Sequence, residues 1–330
     1  MKRTLCLLIT IVLTFSLCSC DIKHNEQEQT PSKYETGGIN HGVISPDPLE
    51  ENFTLEYQGN EISLTYMLEN GKSENSWGLS IYLNGFQQPF SIDGKEKTVV
   101  YIDEYKPSEI KTVNISFEPV CGKTGDVLSV VFVAMVCPDY VISAEDDNER
   151  YGNFHSISQM PWRIHFLSDS SNNVSSCNDF ILKELDEEFR SHYVVSSEDS
   201  ESNLLDSNIY FELFDEEQTI NGYKTLQNGN LKLFITGAGR NPFKNDTTYY
   251  RISVYIDHNL ISCFDGESYL TIPIKNNKIS SAEFEIPSTL IKENSHLYMI
   301  AVPITQPNIS DGTLPILKPE TKQIIHSKGV

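Results

Sequence analysis

Residues 79–84 read Leu-Ser-Ile-Tyr-Leu-Asn, and residues 252–257 read Ile-Ser-Val-Tyr-Ile-Asp. Each stretch alternates aliphatic side chains with serine, tyrosine and asparagine or aspartate, which is the period of a half-buried β-strand. A similar turn follows each stretch, Asp-Gly-Lys at residues 93–95 and Asp-Gly-Glu at residues 265–267. Farther along, residues 128–135 resemble residues 297–304. Matches in the same order predict that one β-sheet design occurs twice in the chain.

The sequence around the first match consists of short apolar-alternating runs separated by turn residues at roughly ten-residue spacing, which is typical of an antiparallel sandwich or barrel. Candidate strands are residues 53–57, 62–68, 77–84, 89–92, 98–102, 112–117 and 127–136. We therefore predict an all-β protein with two tandem antiparallel β-sandwich domains, residues 51–143 and 207–306. About seven strands per domain without βαβ spacing resemble the immunoglobulin-like architecture.

A connecting segment, residues 144–206, separates the two predicted sandwiches. The alternation of Trp162, Ile164 and Phe166 predicts one more strand that docks against a sandwich. Residues 177–193 carry apolar side chains at spacings near three and four, which predicts an amphipathic helix. The last residues, 307–330, contain prolines and are predicted to form a poorly ordered tail.

The amino terminus reads as an export signal. Lys2 and Arg3 precede an apolar run that is too short to span a bilayer, since spanning takes roughly 20 apolar residues. The run ends in Leu-Cys-Ser-Cys at residues 17–20, which resembles the lipobox of bacterial lipoproteins. That resemblance implies cleavage before Cys20, a diacylglyceryl group on its thiol, and a membrane-anchored chain facing the extracytoplasmic side. The alternative is an ordinary secretory signal with incidental cysteines.

Residues 21–50 are polar and rich in glutamate, glutamine, glycine and proline, which predicts a flexible tether. Apart from residues 1–20, the chain carries 23 basic and 46 acidic residues, a net charge of −23. Such a charge repels nucleic acid and bare anionic lipid, so neither is a predicted partner. Cationic partners and divalent cations remain compatible with it.

The remaining cysteines are Cys121, Cys137, Cys177 and Cys263. The first two flank a turn and a strand of about ten residues, which would separate them by roughly 30 Å, too far for a disulfide. Cys137 with Cys177 is geometrically easier, and four free buried thiols are the favoured alternative.

The sequence lacks the motifs of serine hydrolases, zinc proteases, phosphate loops and dinucleotide-binding folds, so no catalytic residue, metal site or cofactor is predicted. The acidic residues 146–149 are the best calcium candidate, although a solvated linker explains them better. We therefore predict a non-enzymatic binding or scaffolding lipoprotein. One alternative is a carbohydrate-binding module that stacks sugars on Tyr82 and Tyr255, exposed at matched positions. A second is a hydrolase whose site lies in residues 148–193.

Overall fold

The computed structural model describes residues 39–47, 53–72, 74–138, 157–172, 174–196, 201–206, 208–215, 230–240, 247–292, 295–304 and 318–323. The predicted signal peptide, Cys20, most of the predicted tether and the acidic residues 146–149 lie outside these residues. No helix in the described part is long and apolar enough to cross a membrane. All the described residues belong to one compact unit that begins at Lys33.

The first sandwich consists of ten strands in two sheets. One sheet has the order β1-β3-β8-β6, and the other has the order β2-β10-β9-β4-β5, with β7 also paired to β4. The strands are β1 (Asn40–Ser45), β2 (Thr54–Tyr57), β3 (Ile62–Glu69), β4 (Asn75–Leu83), β5 (Phe86–Gln87), β6 (Ser91–Ile92), β7 (Tyr101–Tyr105), β8 (Ile110–Phe117), β9 (Val127–Val136) and β10 (Ile157–Phe166).

This strand order is that of an immunoglobulin-type sandwich. The first sheet corresponds to strands A, B, E and D, and the second to G, F, C and C′, with β2 adding a short strand parallel to β10. Trp77 is buried on the central strand β4, where its indole Nε1 donates to Oδ1 of Asn70 at 3.0 Å. A tryptophan at this place is characteristic of the architecture.

The predicted docking strand in the connecting segment is confirmed as β10. Its side chains at Trp162, Ile164 and Phe166 are fully buried in the first sandwich, and it pairs with β9 along most of its length. The first sandwich is therefore completed by residues beyond 143.

The second sandwich repeats the arrangement, with sheets ordered β11-β19-β15-β14 and β17-β16-β20-β21 and with β18 also paired to β16. One short helix and a two-stranded hairpin, β12-β13, lie between β11 and β14 in the chain. The elements are β11 (Ile181–Glu184), α1 (Glu187–Ser191), β12 (Val194–Ser196), β13 (Glu201–Asn203), β14 (Ile209–Asp215), β15 (Leu231–Gly239), β16 (Thr247–Ile256), β17 (Asn259–Leu260), β18 (Tyr269–Lys275), β19 (Lys278–Ile286), β20 (His296–Pro303) and β21 (Lys318–Gln323), with 3-10 turns at Leu204–Asp206 and Ser288–Leu290.

The predicted repeat is visible in the pairing. Strands β3, β4, β8 and β9 occupy the same sheet positions as β15, β16, β19 and β20. Tyr82 pairs with Val131, and the matched Tyr255 pairs with Tyr298. In the structure Val131 therefore corresponds to Tyr298, whereas the sequence match aligned the two closing strands two residues differently. A shift of two residues leaves each side chain on the same face of its strand.

Three sequence predictions about the remaining segments are wrong. Most of residues 177–193 is extended, because Ile181–Glu184 pairs with β19, and only Glu187–Ser191 is helical. The predicted tether contains β1, which pairs with β3. The predicted tail contains β21, which pairs with β20. In each case pairing with an available sheet edge sets the local conformation.

Candidate functional site

The two residues predicted to bind sugars are fully buried. Tyr82 and Tyr255 are each 0% exposed, and their rings pack edge-to-face with centroids 6.5 Å apart. Tyr255 also stacks on Tyr298 at 4.8 Å. A sugar face needs an accessible ring, so the predicted exposure of both residues is wrong.

These tyrosines lie where the two sandwiches meet. We call this contact the seam, and it joins the outer face of the β4–β9 sheet to the outer face of the β16–β20 sheet. Its buried members are Tyr82, Val131, Val133 and Met135 from the first sandwich and Tyr255, Tyr298, Ile300 and Val302 from the second. Matched positions of the two repeats, Tyr82 and Tyr255, therefore meet in the seam.

Arg251 is the charged residue of the seam. Its guanidinium lies 3.6 Å from the ring centroid of Phe86 and donates through Nη1 to the carbonyl oxygen of Asn84. Burial lowers the pKa of Arg251 to about 10. Gly85 lies against the same side chain, and a methyl group there would come within 2.6 Å of the Arg251 Cβ atom.

Two further contacts fix the register of the seam. The Tyr269 ring packs edge-to-face on Phe86 at 4.9 Å, and its hydroxyl accepts from the backbone nitrogen of Gln87 at 3.2 Å. At the other end, His258 donates through Nε2 to the carbonyl oxygen of Pro138 at 2.8 Å. The seam therefore combines apolar burial with directional hydrogen bonds, which holds the sandwiches in one relative orientation.

The four cysteines of the described part are free, so no Cys137–Cys177 disulfide is present, but only Cys137 is fully buried and the other three are half-buried. Burial raises the pKa of Cys121 to about 12, and it also raises the pKa values of Cys137 and Cys263. Thiols with raised pKa values are poor nucleophiles at neutral pH because little thiolate is present.

The hydrolase alternative concerns residues 148–193, of which the structure describes 157–172 and 174–193. His165 lies on β10, and His192 ends α1. No group of three or more histidine, cysteine, aspartate or glutamate side chains in the described residues could hold a metal ion.

The larger of two cavities that the described residues line on the second sandwich is a groove of about 600 Å³, and it is a candidate site. Its floor is apolar, and Phe264 and Phe284 meet there with ring centroids 5.1 Å apart. Its rim carries four carboxylates and one ammonium group, on Asp179, Asp265, Glu283, Glu285 and Lys183. An apolar floor with a charged rim is the composition of a binding cleft.

The groove lies between three parts of the second sandwich. Residues 177–181 cross from β18 to β19, since Cys177 bridges to Leu270 and Ile181 pairs with Ser281. The turn at Cys263–Asp265 forms the facing wall, and β19 forms the base. Sequence reasoning missed this site because its residues come from strands that are distant in the chain. The matched Asp-Gly turns showed only that residues 263–265 correspond to residues 91–93 of the first repeat.

Comparisons with known proteins add no functional assignment. No family model and no curated protein matches the chain. Similar solved structures include a protein of unknown function from Porphyromonas gingivalis W83, with 9% identity over 88% of this chain and 100% of that chain and a TM-score of 0.24. The Salmonella enterica SafA pilin in complex with the SafB chaperone matches with 9% identity over 86% and 96% and a TM-score of 0.25. At these scores we base no functional argument on either structure.

Proposed function

We propose that this protein is an extracytoplasmic lipoprotein, anchored through Cys20, that binds a protein partner and catalyses no reaction. The observation that carries the binding role is the groove of the second sandwich, with its apolar floor and acidic rim. The lipobox-like residues 17–20 carry the anchoring role.

The seam supports a binding role because it makes the tandem rigid. A binding surface on a rigid support loses less conformational entropy when the partner docks, so more of the contact energy appears as affinity. The acidic rim agrees with the net charge of the whole chain, −21, and favours a basic partner surface.

A glycan-binding role is a weaker candidate for this chain. Its sequence basis was a pair of exposed tyrosines, and both rings are buried in the seam. Loss of glycan binding in a double alanine variant of Tyr82 and Tyr255 would therefore report damage to the seam rather than loss of a sugar platform.

The anchoring role is tested by metabolic labelling of cells with an alkyne-bearing fatty acid. We expect the wild-type chain and a Cys18→Ala variant to become labelled, whereas a Cys20→Ala variant does not and leaves the membrane fraction. Cys18 is the matched control because it lies two residues away and precedes the proposed cleavage site. Label retained in Cys20→Ala would reject Cys20 as the lipid attachment point.

The binding role is tested by site-specific photo-cross-linking in the native host. A benzophenone side chain at Glu285, on the groove rim, should give a discrete cross-linked species that contains another protein. The same group at Glu104, also an exposed glutamate on a strand, serves as the control on the first sandwich. Equal cross-linking at both positions, or none at Glu285, would reject the groove as the binding surface.

A further inference from the structure

In the second sandwich the edge position of β6 is taken by β11, which pairs with only one part of β19, and the groove lies beside the remaining part of that edge. In the first sandwich, β6 pairs with β8 at Ser116 and Ile115, and the backbone nitrogen of Asp93 then donates to the carbonyl oxygen of Asn114 at 2.8 Å. Strand β19 is the counterpart of β8. The alternation of buried side chains matches residues 114–116 of β8 to residues 283–285 of β19, which lie within the stretch 282–286 beyond β11.

That edge of β19 has no strand partner among the described residues. Strand β11 reaches only from Lys278 to Ser281, and β15 lies on the opposite side. Phe264, the counterpart of Ile92, pairs instead with Glu267 inside its own turn. The backbone groups of residues 282–286 on this side therefore border the groove instead of a neighbouring strand.

From this we infer that the groove accepts a β-strand from a partner protein, paired to residues 282–286 of β19. This inference rests on the proposed binding function and specifies its mode. An unpaired edge beside apolar pockets is the arrangement used in strand addition, where backbone hydrogen bonds give affinity and the pockets select alternate side chains. At about 3.3 Å per residue, the edge accommodates roughly five residues of an added strand.

The two faces of this edge specify the chemistry of the incoming strand. Ala282 and Phe284 point inward to the apolar floor, whereas Glu283 and Glu285 point outward. Directly opposite side chains of paired strands lie on the same face of the sheet. Inward side chains of the added strand would therefore contact Phe264 and Phe284, and outward side chains would contact the carboxylates of Glu283 and Glu285. Lys232 pairs with Glu283 at 2.7 Å, and Asp265 across the groove adds another exposed carboxylate. The occupant is therefore an extended segment with alternating apolar and basic residues.

The probe for this inference is a fluorescent peptide of alternating lysine and valine, titrated against the chain from residue 21 onward. We expect it to bind at least about ten-fold more tightly than a peptide of the same composition in two blocks, because only the alternating order suits both faces. A glutamate–valine peptide should not bind. In hydrogen exchange, the bound peptide should protect amides within residues 282–286.

Charge reversal on the rim supplies the protein control. The double variant Glu283→Lys, Glu285→Lys should weaken peptide binding by about ten-fold or more, whereas Glu56→Lys, Glu61→Lys should leave it unchanged. All four side chains are exposed, and both variants change the net charge equally.

Several outcomes would overturn the inference. Equal affinity for the alternating and block peptides would show that binding depends only on net charge. Hydrogen-exchange protection at another strand edge would show that the peptide binds there and not at β19. A dimer in sedimentation that is lost in Glu283→Lys, Glu285→Lys would make a second copy of this chain the occupant. If no peptide binds but cross-linking at Glu285 still captures a protein, the strand mode fails and the binding function stands.

Discussion

The imidazole of His41 is buried on β1 beside the hydroxyl of Tyr66, and burial lowers its pKa to about 4. In the unfolded chain an ordinary histidine has a pKa of about 6.5. Between these values the unfolded state binds the proton and the folded state does not, so stability falls as the pH falls from about 6.5 towards about 4.

The His41 prediction follows from that window. The wild type should lose about 1 kcal/mol more unfolding free energy than a His41→Gln variant between about pH 7.5 and about pH 5.5, as measured by urea denaturation. The other histidines are common to both proteins and cancel in the comparison. Parallel pH profiles would show that His41 is protonated equally in both states.

The seam tyrosines give a second prediction at the residue scale. Burial raises the pKa values of Tyr82 and Tyr255, and neither hydroxyl has a hydrogen-bond partner of ordinary geometry. Replacing either residue with phenylalanine should therefore cost no stability, whereas alanine should cost about 3–5 kcal/mol through the cavity that it leaves. Thermal and urea unfolding of the single variants measure both effects. Equal losses for phenylalanine and alanine would mean that the hydroxyls matter more than the rings.

A third prediction concerns the replacement of Gly85 with alanine, for which the same replacement at Gly94 is the matched control. Both glycines have positive φ, at 81° and 71°, but only an alanine at Gly85 would meet another atom, the Arg251 Cβ at 2.6 Å. Both substitutions incur the left-handed backbone strain, and Gly85→Ala adds the overlap. We expect Gly85→Ala to lower the unfolding free energy by about 1–3 kcal/mol more than Gly94→Ala. Similar losses would mean that the seam relaxes around the added methyl group.

At the scale of elements, the sequence predicted strands best where one face is buried and alternation is strong. The bounds of β9 are those predicted, and β3 and β8 differ by only one or two residues. Alternation identifies two faces of a strand, but it contains no information about what covers the second face. The serine and tyrosine positions of β4 and β16 therefore looked solvent-facing although the other sandwich covers them.

Strands β1, β11 and β21, which the sequence failed to predict, all lie at sheet edges. Strand β1 buries few apolar side chains, so the composition of residues 21–50 indicated a tether. In the segment before α1, Phe180, Ile181, Leu185 and Phe189 have helical spacing, yet Ile181–Glu184 is exposed and extended along β19. Partners distant in the chain determine these conformations, and no local pattern records them.

The role of β1 is tested by two truncations of the chain without its first 20 residues. Removal of residues 21–38 should leave stability unchanged if these residues act only as a tether, whereas removal of residues 21–47 should cost several kcal/mol. The longer deletion removes the pairing with β3 and exposes the surface that Val43 covers, and a buried valine contributes about 1.5–3 kcal/mol by itself. Urea unfolding gives both values. If the shorter deletion already causes the whole loss, residues before β1 are structural.

At the scale of the whole molecule, the seam decides whether the two sandwiches unfold together. Separation would expose its apolar face, including Val131 and Val133 on one side and Ile300 and Val302 on the other, and would leave the Arg251 guanidinium without Phe86 and Asn84. Burial of this kind couples the stability of one domain to that of its neighbour. We therefore expect the two sandwiches to unfold as a single cooperative unit rather than as independent domains.

The two tryptophans make this coupling measurable. Trp77 and Trp162 are the only tryptophans of the chain, and both are buried in the first sandwich. Ile272→Ala removes a fully buried side chain from the core of the second sandwich and should cost about 2–5 kcal/mol. In a coupled molecule, the tryptophan fluorescence transition of this variant moves to lower urea, although no tryptophan is near the substitution. In a Val133→Glu background, where a buried charge breaks the seam, the same substitution should leave the tryptophan transition in place. A tryptophan transition that ignores Ile272→Ala in the intact chain would show that the sandwiches fold independently and that the seam only orients them.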